Sequence, residues 1–479
     1  MRKTFSILLA VVAIAISSSC SPKAEPVYPM FWTWLEDLPG VDMEASFKAM
    51  HEAGIDGVML HAVSPEDYKR DIAIAQKYGI TVYAWIWTLN PPRQDRPRML
   101  EEVPHWFDVN REGKSLSEYK AYVNSYKFMC PNLPEVRQNL VDRVTELCQI
   151  DGIEGICLDY CRLVDVVLPV ALSYNYGITQ DGEVFPQWDF GYHPAMLEEF
   201  QAKHGYDPRE QQDPSKDKVW CQFRCDKVTE CANLMAETAH KYGRVVTASP
   251  FATTKVATFM VAQDFGKWDL DIVFPMIYCD FYTQETCFAY EGTVQNNMDK
   301  NPKTVLGVGL DTELGGSPWK IFEKMDQAFK GGAQAVSLYT IAGLDTPELR
   351  AEFKEYSDSL RAVRAANGGK VPYEKVETID LNPLNHPTHM AVVERHMQRL
   401  AAGEQIHERS INGMVADDPS KVYPSKVYPA LDLTDYELTV DNGRIKKYRV
   451  TDKASGCVFD VYFTVYGEVI SGSDVRLVK

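Results

Sequence analysis

Acidic residues stand at the ends of apolar runs in the middle of this sequence. Asp159, Asp280 and Asp311 each follow such a run, and Glu313 comes two residues after the last of them. A carboxylate at the end of a buried strand is costly unless it is paired or functional. Two carboxyl groups are what glycosidic bond cleavage needs, because one protonates the leaving oxygen while the other attacks carbon or activates water. Asp159, Asp311 and Glu313 are therefore the candidate catalytic residues.

Aromatic and other polar residues end the same runs. The candidate substrate-binding residues are His61, Trp85, Trp87, Tyr160, Arg162, Tyr278, Asp280 and Tyr339. Trp85 and Trp87 are two residues apart, so in a strand they point to the same face. The sequence contains no HExxH motif or His triplet, and Ser249 lacks the G-x-S-x-G context of a nucleophilic serine. We therefore expect no metal and no other cofactor.

The elements that carry these residues repeat one unit, an amphipathic helix followed by a short apolar run. Eight runs occur: Met30–Trp34, Gly57–His61, Ile80–Trp87, Ile153–Tyr160, Arg244–Pro250, Leu270–Tyr278, Thr304–Leu310 and Ala333–Tyr339. Near-continuous apolar runs that alternate with helices indicate parallel strands buried on both faces. Eight of them predict a closed (β/α)₈ barrel over residues 30–364. An open doubly wound sheet is the alternative, weakened because no GxGxxG follows any run.

Two intervals between runs are longer than one helix requires. They separate Trp87 from Ile153 and Leu163 from Arg244, and both are rich in aromatic residues. Both follow the carboxyl end of a strand, the face where barrels of this class build their active sites. The aromatic side chains predict either a groove for sugars or packing of the loops on one another.

Three stretches resemble a known family. They are Asn132–Arg162, which contains Asp159-Tyr160-Cys161-Arg162, then Val82–Trp87, and Phe200–Pro208. Over about residues 27–360 the chain resembles the glycosyl hydrolase 10-like barrels of bacterial lipoproteins. The chain departs from their pattern in Cys161 and in the lack of a proline after Arg162.

The resemblance implies roles for the carboxylates. It implies an acid on the fourth strand, Asp159, and a nucleophile or base on the seventh, Asp311 or Glu313, of which Asp311 is slightly favoured. Arg162 and Tyr278 would hold substrate hydroxyls. Simpler structural roles stay open: Arg162 could pin Asp159, and Asp311 could cap the next helix.

The ends of the chain predict an exported protein with a small second domain. Residues 1–19 have a basic head, an apolar run and small residues, which is typical of a signal peptide. Cys20 stands where bacterial lipoproteins are lipidated, so we expect a lipid anchor in the cell envelope, with residues 20–29 as a tether; an ordinary secretory signal is the alternative. Residues 370–479 lack the barrel rhythm and contain the hairpin signal Asp441-Asn442-Gly443, which predicts a small α+β appendage.

Composition excludes one class of partner. The 479 residues carry a formal net charge of −17, which repels nucleic acid. Taken together, the sequence predicts a glycoside hydrolase that acts on an oligo- or polysaccharide. The alternatives are a carbohydrate-binding lipoprotein without activity, and a lyase or transglycosylase on the same scaffold.

Overall fold

The structure is a computed structural model of the whole chain. It describes residues 28–167, 180, 183–279, 287–312, 320–377, 397–398, 400–403, 436–441, 445–453, 456–466 and 469–478. Three residues singled out from the sequence lie outside this range: Cys20, Asp280 and Glu313. Residues 168–179 and 181–182, near the start of the second long insertion, also lie outside it. The predictions made for them therefore stay predictions.

Eight parallel strands close into a barrel. They are β1 (Phe31–Glu36), β2 (Gly57–His61), β3 (Thr81–Trp87), β4 (Ile153–Asp159), β5 (Val245–Ala248), β6 (Ile272–Val273), β7 (Val305–Asp311) and β8 (Ala335–Tyr339). Each strand pairs with the next in sequence, and β1 pairs with β8 to complete the circle. The predicted (β/α)₈ barrel is confirmed, and the open sheet is excluded because both edges are paired.

The sixth strand is shorter than the apolar run predicted. The run extends from Leu270 to Tyr278, whereas β6 covers two residues. Pro275 explains the difference, since proline has no N–H to donate to a neighbouring strand. Pairing continues beyond it only as isolated bridges from Met276 to Phe251 and Gly309.

Helices surround the barrel. In chain order they are α1 (Met43–Ala53), α2 (Pro65–Lys77), α3 (Arg96–Glu102), α4 (Pro134–Cys148), α5 (Pro194–His204), α6 (Lys218–Lys241), α7 (Thr254–Val261), α8 (Cys287–Asp299), α9 (Lys320–Lys330) and α10 (Pro347–Ala366). Their apolar faces pack on outward strand residues such as Val308 and Leu310. Ends are capped as the residue types require: Asp42 accepts from the first turn of α1, and Gly54 ends that helix at φ 74°.

Large aromatic side chains fill the lower part of the barrel. The ring of Trp32 lies 4.1 Å from that of Tyr83 and 5.0 Å from that of Phe274, measured between centroids. Gly307 makes room for this packing, since a Cβ there would lie 2.4 Å from the Phe274 ring. The interior is therefore a packed core, and a ligand can reach only the carboxyl ends of the strands.

The two long insertions join each other beside that face. The first contains α3 and α4, the second α5 and α6. A β-bridge links Asn110 to Phe190, and the buried Asp189 forms an ion pair of 2.6 Å with Arg224 of α6. This network fixes both insertions to the barrel wall.

The C-terminal segment forms an antiparallel sheet of its own. Its strands are β9 (Tyr436–Asp441), β10 (Ile445–Thr451), β11 (Val458–Tyr466) and β12 (Val469–Leu477), in the order β12-β11-β10-β9. The pairing of β9 with β10 confirms the antiparallel hairpin expected there; its turn, residues 442–444, is outside the described residues. Within the described part of the chain, no helix combines the length and apolar character needed to cross a membrane.

Candidate active site

Side chains from several strand ends meet at one face of the barrel. Residues two apart on a strand share a face, so Trp34, His61, Trp87 and Asp159 point inward with the lumen residues below them. His61 lies against both Trp85 and Trp87, with ring centroids 5.7 and 6.1 Å apart. The structure therefore brings together residues that are up to 125 positions apart in the sequence.

Asp159 is the carboxylate at the centre of this group. One of its oxygens, Oδ2, accepts a hydrogen bond of 3.0 Å from the indole N–H of Trp85, and Oδ1 accepts one of 2.7 Å from the backbone N–H of Tyr160. Burial raises the pKa of Asp159 to about 6, although both hydrogen bonds and the Arg162 charge act in the opposite direction. Its side chain is only partly covered. Asp159 can therefore hold and release a proton near neutral pH.

Aromatic rings form a nearly continuous wall around Asp159. Trp34 packs edge-on against Trp85 at 4.7 Å, and Trp87 lies 4.9 Å from Tyr160. The indole N–H groups of Trp34 and Trp87 are buried with no hydrogen-bond partner among the described residues. The wall is thus largely buried, and these two indole N–H groups are covered by protein.

Tyr278 and Tyr339 complete the opposite side. Their rings stack at 5.6 Å with planes 25° apart, and Tyr339 lies 6.1 Å from Trp34. Both were predicted from their strand-end positions, and both do lie at the barrel mouth.

The backbone directly after Asp159 has an unusual conformation. Tyr160 has φ 52°, in the left-handed region that non-glycine residues rarely adopt. Such strain is found where surrounding contacts over-determine a position. Here it turns the chain sharply at the end of β4, with the Tyr160 ring against Trp87.

Arg162 has a different role from the one predicted. Its guanidinium is 4% exposed and pairs with Asp165 at 3.1 Å, while its other donors bond to the Leu163 carbonyl and the Tyr126 hydroxyl. Because these donors are engaged inside the protein, Arg162 cannot hold substrate hydroxyls as expected. It does not pin Asp159 either, since its ion pair is with Asp165.

Four aromatic rings surround that guanidinium. Its central carbon lies 4.9–5.4 Å from the centroids of Tyr126, Phe128, Tyr160 and Phe251. These rings come from the first insertion, from β4 and from the segment after β5. Arg162 therefore holds three chain segments together behind the wall of the site.

Asp311 also departs from expectation. It ends β7, but it is 1% exposed and forms an ion pair of 3.2 Å with Lys324, which is itself buried on α9. The Lys324 ammonium also donates to the Asp311 backbone carbonyl. Asp311 is therefore covered by protein and ion-paired; residues 313–319, which follow it, lie outside the described residues, and its catalytic role stays a prediction.

A second accessible carboxylate, which the sequence reasoning missed, ends the first strand. Glu36 is paired in register with His61 and lies two residues after Trp34, on the same face. Its carboxylate is partly exposed and forms no hydrogen bond or ion pair within the described residues. The signal was present, because the apolar run Met30–Trp34 continues through Leu35 directly to this glutamate.

His61 is held in one orientation. Its Nδ1 lies 3.1 Å from the Trp85 carbonyl oxygen, which requires the proton on Nδ1. Burial lowers its pKa, with the Glu36 charge opposing this. His61 is therefore a neutral imidazole whose Nε2 is left as an acceptor. Among the residues that the structure describes, no group of three or more metal-binding side chains comes together.

Comparison with known proteins shows only distant similarity. No family model matches the chain, and no curated protein matches it significantly. Among solved structures, it is similar to a β-galactosidase from the psychrophilic Marinomonas ef1, with 13% identity and a TM-score of 0.48 over 71% of this chain and 60% of that one. The catalytic domain of a β-amylase from Paenibacillus polymyxa matches with 11% identity and a TM-score of 0.49, over 69% of this chain and 98% of that one.

A third match has the same character. The α-L-fucosidase isoenzyme 2 from Paenibacillus thiaminolyticus has 12% identity and a TM-score of 0.47, over 71% of this chain and 50% of that one. The chain thus spans only 60% of the length of the β-galactosidase and 50% of that of the α-L-fucosidase. Similarity this low does not transfer an activity. By its own strand order and register, the protein is an eight-stranded α/β barrel.

Proposed function

We propose that this protein is a glycoside hydrolase in which Asp159 is the general acid/base. The observation that carries the proposal is the position of Asp159: a partly exposed carboxyl group, with its pKa raised to about 6, inside an aromatic mouth at the carboxyl end of β4. A carboxyl group that titrates near pH 6 is protonated in a much larger fraction of molecules at that pH than an ordinary aspartate, and it can then protonate the oxygen of a glycosidic bond.

The surrounding residues support a carbohydrate as substrate. Sugar rings present C–H faces that pack on indole and phenol rings, and hydroxyl oxygens that accept hydrogen bonds. Tyr160 and Tyr339, which are partly exposed, supply such rings at the mouth. His61 adds an acceptor for a sugar hydroxyl through Nε2.

The second carboxylate of this proposal is Glu36. It reaches the mouth three strands away from Asp159, and neighbouring strands lie about 4.8 Å apart, so the two Cα atoms are about 14 Å apart along the wall. Both side chains lie on the inward face of their strands, so the two carboxyl groups face the same mouth. Glu36 would then activate a water molecule while Asp159 protonates the leaving oxygen. Glu313, predicted from sequence, is the competing residue.

The predicted signal peptide and Cys20 complete the proposal. We infer that the enzyme acts in the bacterial envelope, held on a membrane by a lipidated Cys20. Acyl chains contribute about 0.8 kcal/mol per buried CH₂, which anchors a barrel of this kind without a membrane-spanning helix.

The test is hydrolysis of a panel of plant, algal and bacterial polysaccharides, measured by the release of reducing ends. Asp159→Asn removes the acid and keeps the shape, so we expect at least a hundredfold loss of turnover. Asp151→Asn is the matched control, because Asp151 is exposed in the turn just before the same strand. Equal turnover in the wild type and Asp159→Asn would refute the assignment.

The second carboxylate is tested in the same assay. Glu36→Gln and Glu313→Gln are compared, and NMR of the first product shows whether the anomeric configuration is inverted. A loss confined to Glu313→Gln, or a retained configuration, would contradict the role of Glu36. Binding of a polysaccharide without any product would favour the alternative of a carbohydrate-binding protein.

A further inference from the structure

Three cationic side chains lie along one side of the mouth. Arg93 follows β3, and its guanidinium carbon lies 5.4 Å from the centroid of the Trp87 ring. It is exposed, and its charge also contributes, after burial and Arg143, to lowering the pKa of His61. Arg93 therefore reaches over the aromatic wall toward the site.

Arg96, one turn further on, is partly buried beside it. Its Nη2 donates to the Pro91 carbonyl at 3.1 Å, and its Nε is buried with no hydrogen-bond partner in the described part of the chain. Burial lowers its pKa; the Tyr160 hydroxyl opposes this, and the like charge of Arg93 adds to it. The charges of Arg96, Arg93 and the Tyr160 hydroxyl thus influence one another.

Lys127 adds a third positive charge from the other end of the insertion. Its ammonium donates to the carbonyl oxygens of Leu116 and Tyr119, at 2.6 and 3.1 Å. Burial lowers its pKa, and the charge of Arg96 lowers it further. The backbone N–H of Lys127 bonds to the Asn90 side chain, which fixes it next to the loop that carries Arg93.

No carboxylate among the described residues neutralises this group. The nearest acid in sequence, Asp95, acts on the buried Arg143 instead. By contrast Arg98, on the outer face of the same helix, has an ion pair of 3.0 Å with Glu102. Holding like charges together and partly buried is costly unless a counter-charge is supplied. Although the chain carries a net charge of −17, none of its described carboxylates supplies the counter-charge for this group.

We propose that Arg93, Arg96 and Lys127 form a subsite for an anionic group, a carboxylate or a sulfate ester, on the sugar next to the one bound at Asp159. This inference rests on the proposed function, and it assigns the substrate to the acidic polysaccharides. Guanidinium groups match the planar or branched oxygens of such anions and bind them through charge-assisted hydrogen bonds. The exposed guanidinium of Arg93 is one donor for that purpose.

The experiment measures binding separately from hydrolysis. Calorimetric titrations use the Asp159→Asn protein, which cannot turn substrate over, with four probes: polygalacturonate, carboxyl-reduced polygalacturonate, κ-carrageenan and desulfated κ-carrageenan. We expect at least tenfold tighter binding of one acidic polymer, or both, than of its neutral counterpart. The acidic polymer that binds identifies the anion as carboxylate or sulfate.

Variants locate the site. Arg93→Gln and Arg96→Gln should each weaken binding of the acidic polymer about tenfold, which is about 1.4 kcal/mol. Arg98→Gln is the matched control and should bind as the parent does. Arg93 is exposed, so its variant tests the proposal even if Arg96→Gln destabilises the fold.

The outcomes separate the two proposals. Equal affinity for acidic and neutral polymers, or unchanged affinity in both variants, overturns the anionic subsite whatever the enzyme hydrolyses. Selective, arginine-dependent binding by a wild-type protein that cleaves none of the polymers supports the subsite and instead refutes the hydrolase.

Discussion

At the scale of single residues, Asp159 decides the chemistry. Burial disfavours its charged form and raises its pKa to about 6. The hydrogen bonds that Trp85 and the backbone of Tyr160 donate to the carboxylate act in the opposite direction and are outweighed. The same carboxyl group in water would be ionised above pH 4. The site therefore keeps an acid that bulk solvent would not.

The first prediction concerns the pH dependence of activity. A general acid must be protonated, so kcat/KM should fall about tenfold per pH unit above a pKa of about 6. Trp85→Phe removes a donor that stabilises the carboxylate, and should move this limb to higher pH. A flat profile up to pH 8, in both proteins, would show that Asp159 is not the acid.

The second prediction concerns stability. The folded pKa of Asp159 lies above its unfolded value of 3.8, so its contribution is complete below pH 3.8 and is lost as the pH rises through about 6. Asp159→Asn removes this loss, and we expect a free energy of unfolding up to about 3 kcal/mol higher than that of the wild type at pH 7.5, since the pKa is raised by about two units and each unit is 1.36 kcal/mol. Urea denaturation at pH 7.5 and pH 4 measures it. The difference should vanish at pH 4, and a variant destabilised equally at both values would contradict it.

At the scale of elements, the wall of the site depends on a cation behind it. Arg162 joins the end of β4 to the first insertion and to the segment after β5, through four rings and Asp165. Tyr122 donates to the same Asp165. The aromatic mouth is thus assembled from elements far apart in the chain.

The third prediction tests that joint. Arg162→Met leaves Asp165 buried without its cation, which should cost about 3–5 kcal/mol in the free energy of unfolding. The double variant Arg162→Met/Asp165→Leu removes both charges and should regain most of this loss. Thermal denaturation of the two variants compares them, and equal stability would show that the ion pair is not what holds the wall.

At the scale of the whole molecule, the barrel presents one usable face. The lower lumen is filled by Trp32, Tyr83 and Phe274, and both long insertions rise beside the carboxyl ends of the strands. A polymer must therefore approach from that face. A tether at the N-terminus would leave it open to substrate.

The fourth prediction concerns the anchor. If Cys20 is lipidated, the wild-type protein should partition into the detergent phase and Cys20→Ser into the aqueous phase. Mass spectrometry of the mature N-terminus identifies the acyl groups. A wild-type protein that starts at another residue and carries no lipid would contradict the anchor.

The sequence by itself determined the architecture. Eight apolar runs that alternate with helices permit few arrangements, because parallel strands need helical crossovers and buried edges. The same pattern placed Asp159, His61, Trp85 and Trp87 at strand ends, where the barrel collects them. The local pattern of apolar residues is enough to predict which residues stand at the end of a strand.

The tertiary structure alone decided which strand-end residues are accessible and what neutralises each charge. Asp311 and Arg162 were candidates by position, but their partners, Lys324 and Asp165, bury them. Glu36 gained importance for the opposite reason, since it has no partner within the described residues. Ion pairing and burial depend on side chains brought together through space, and no spacing along the chain encodes them.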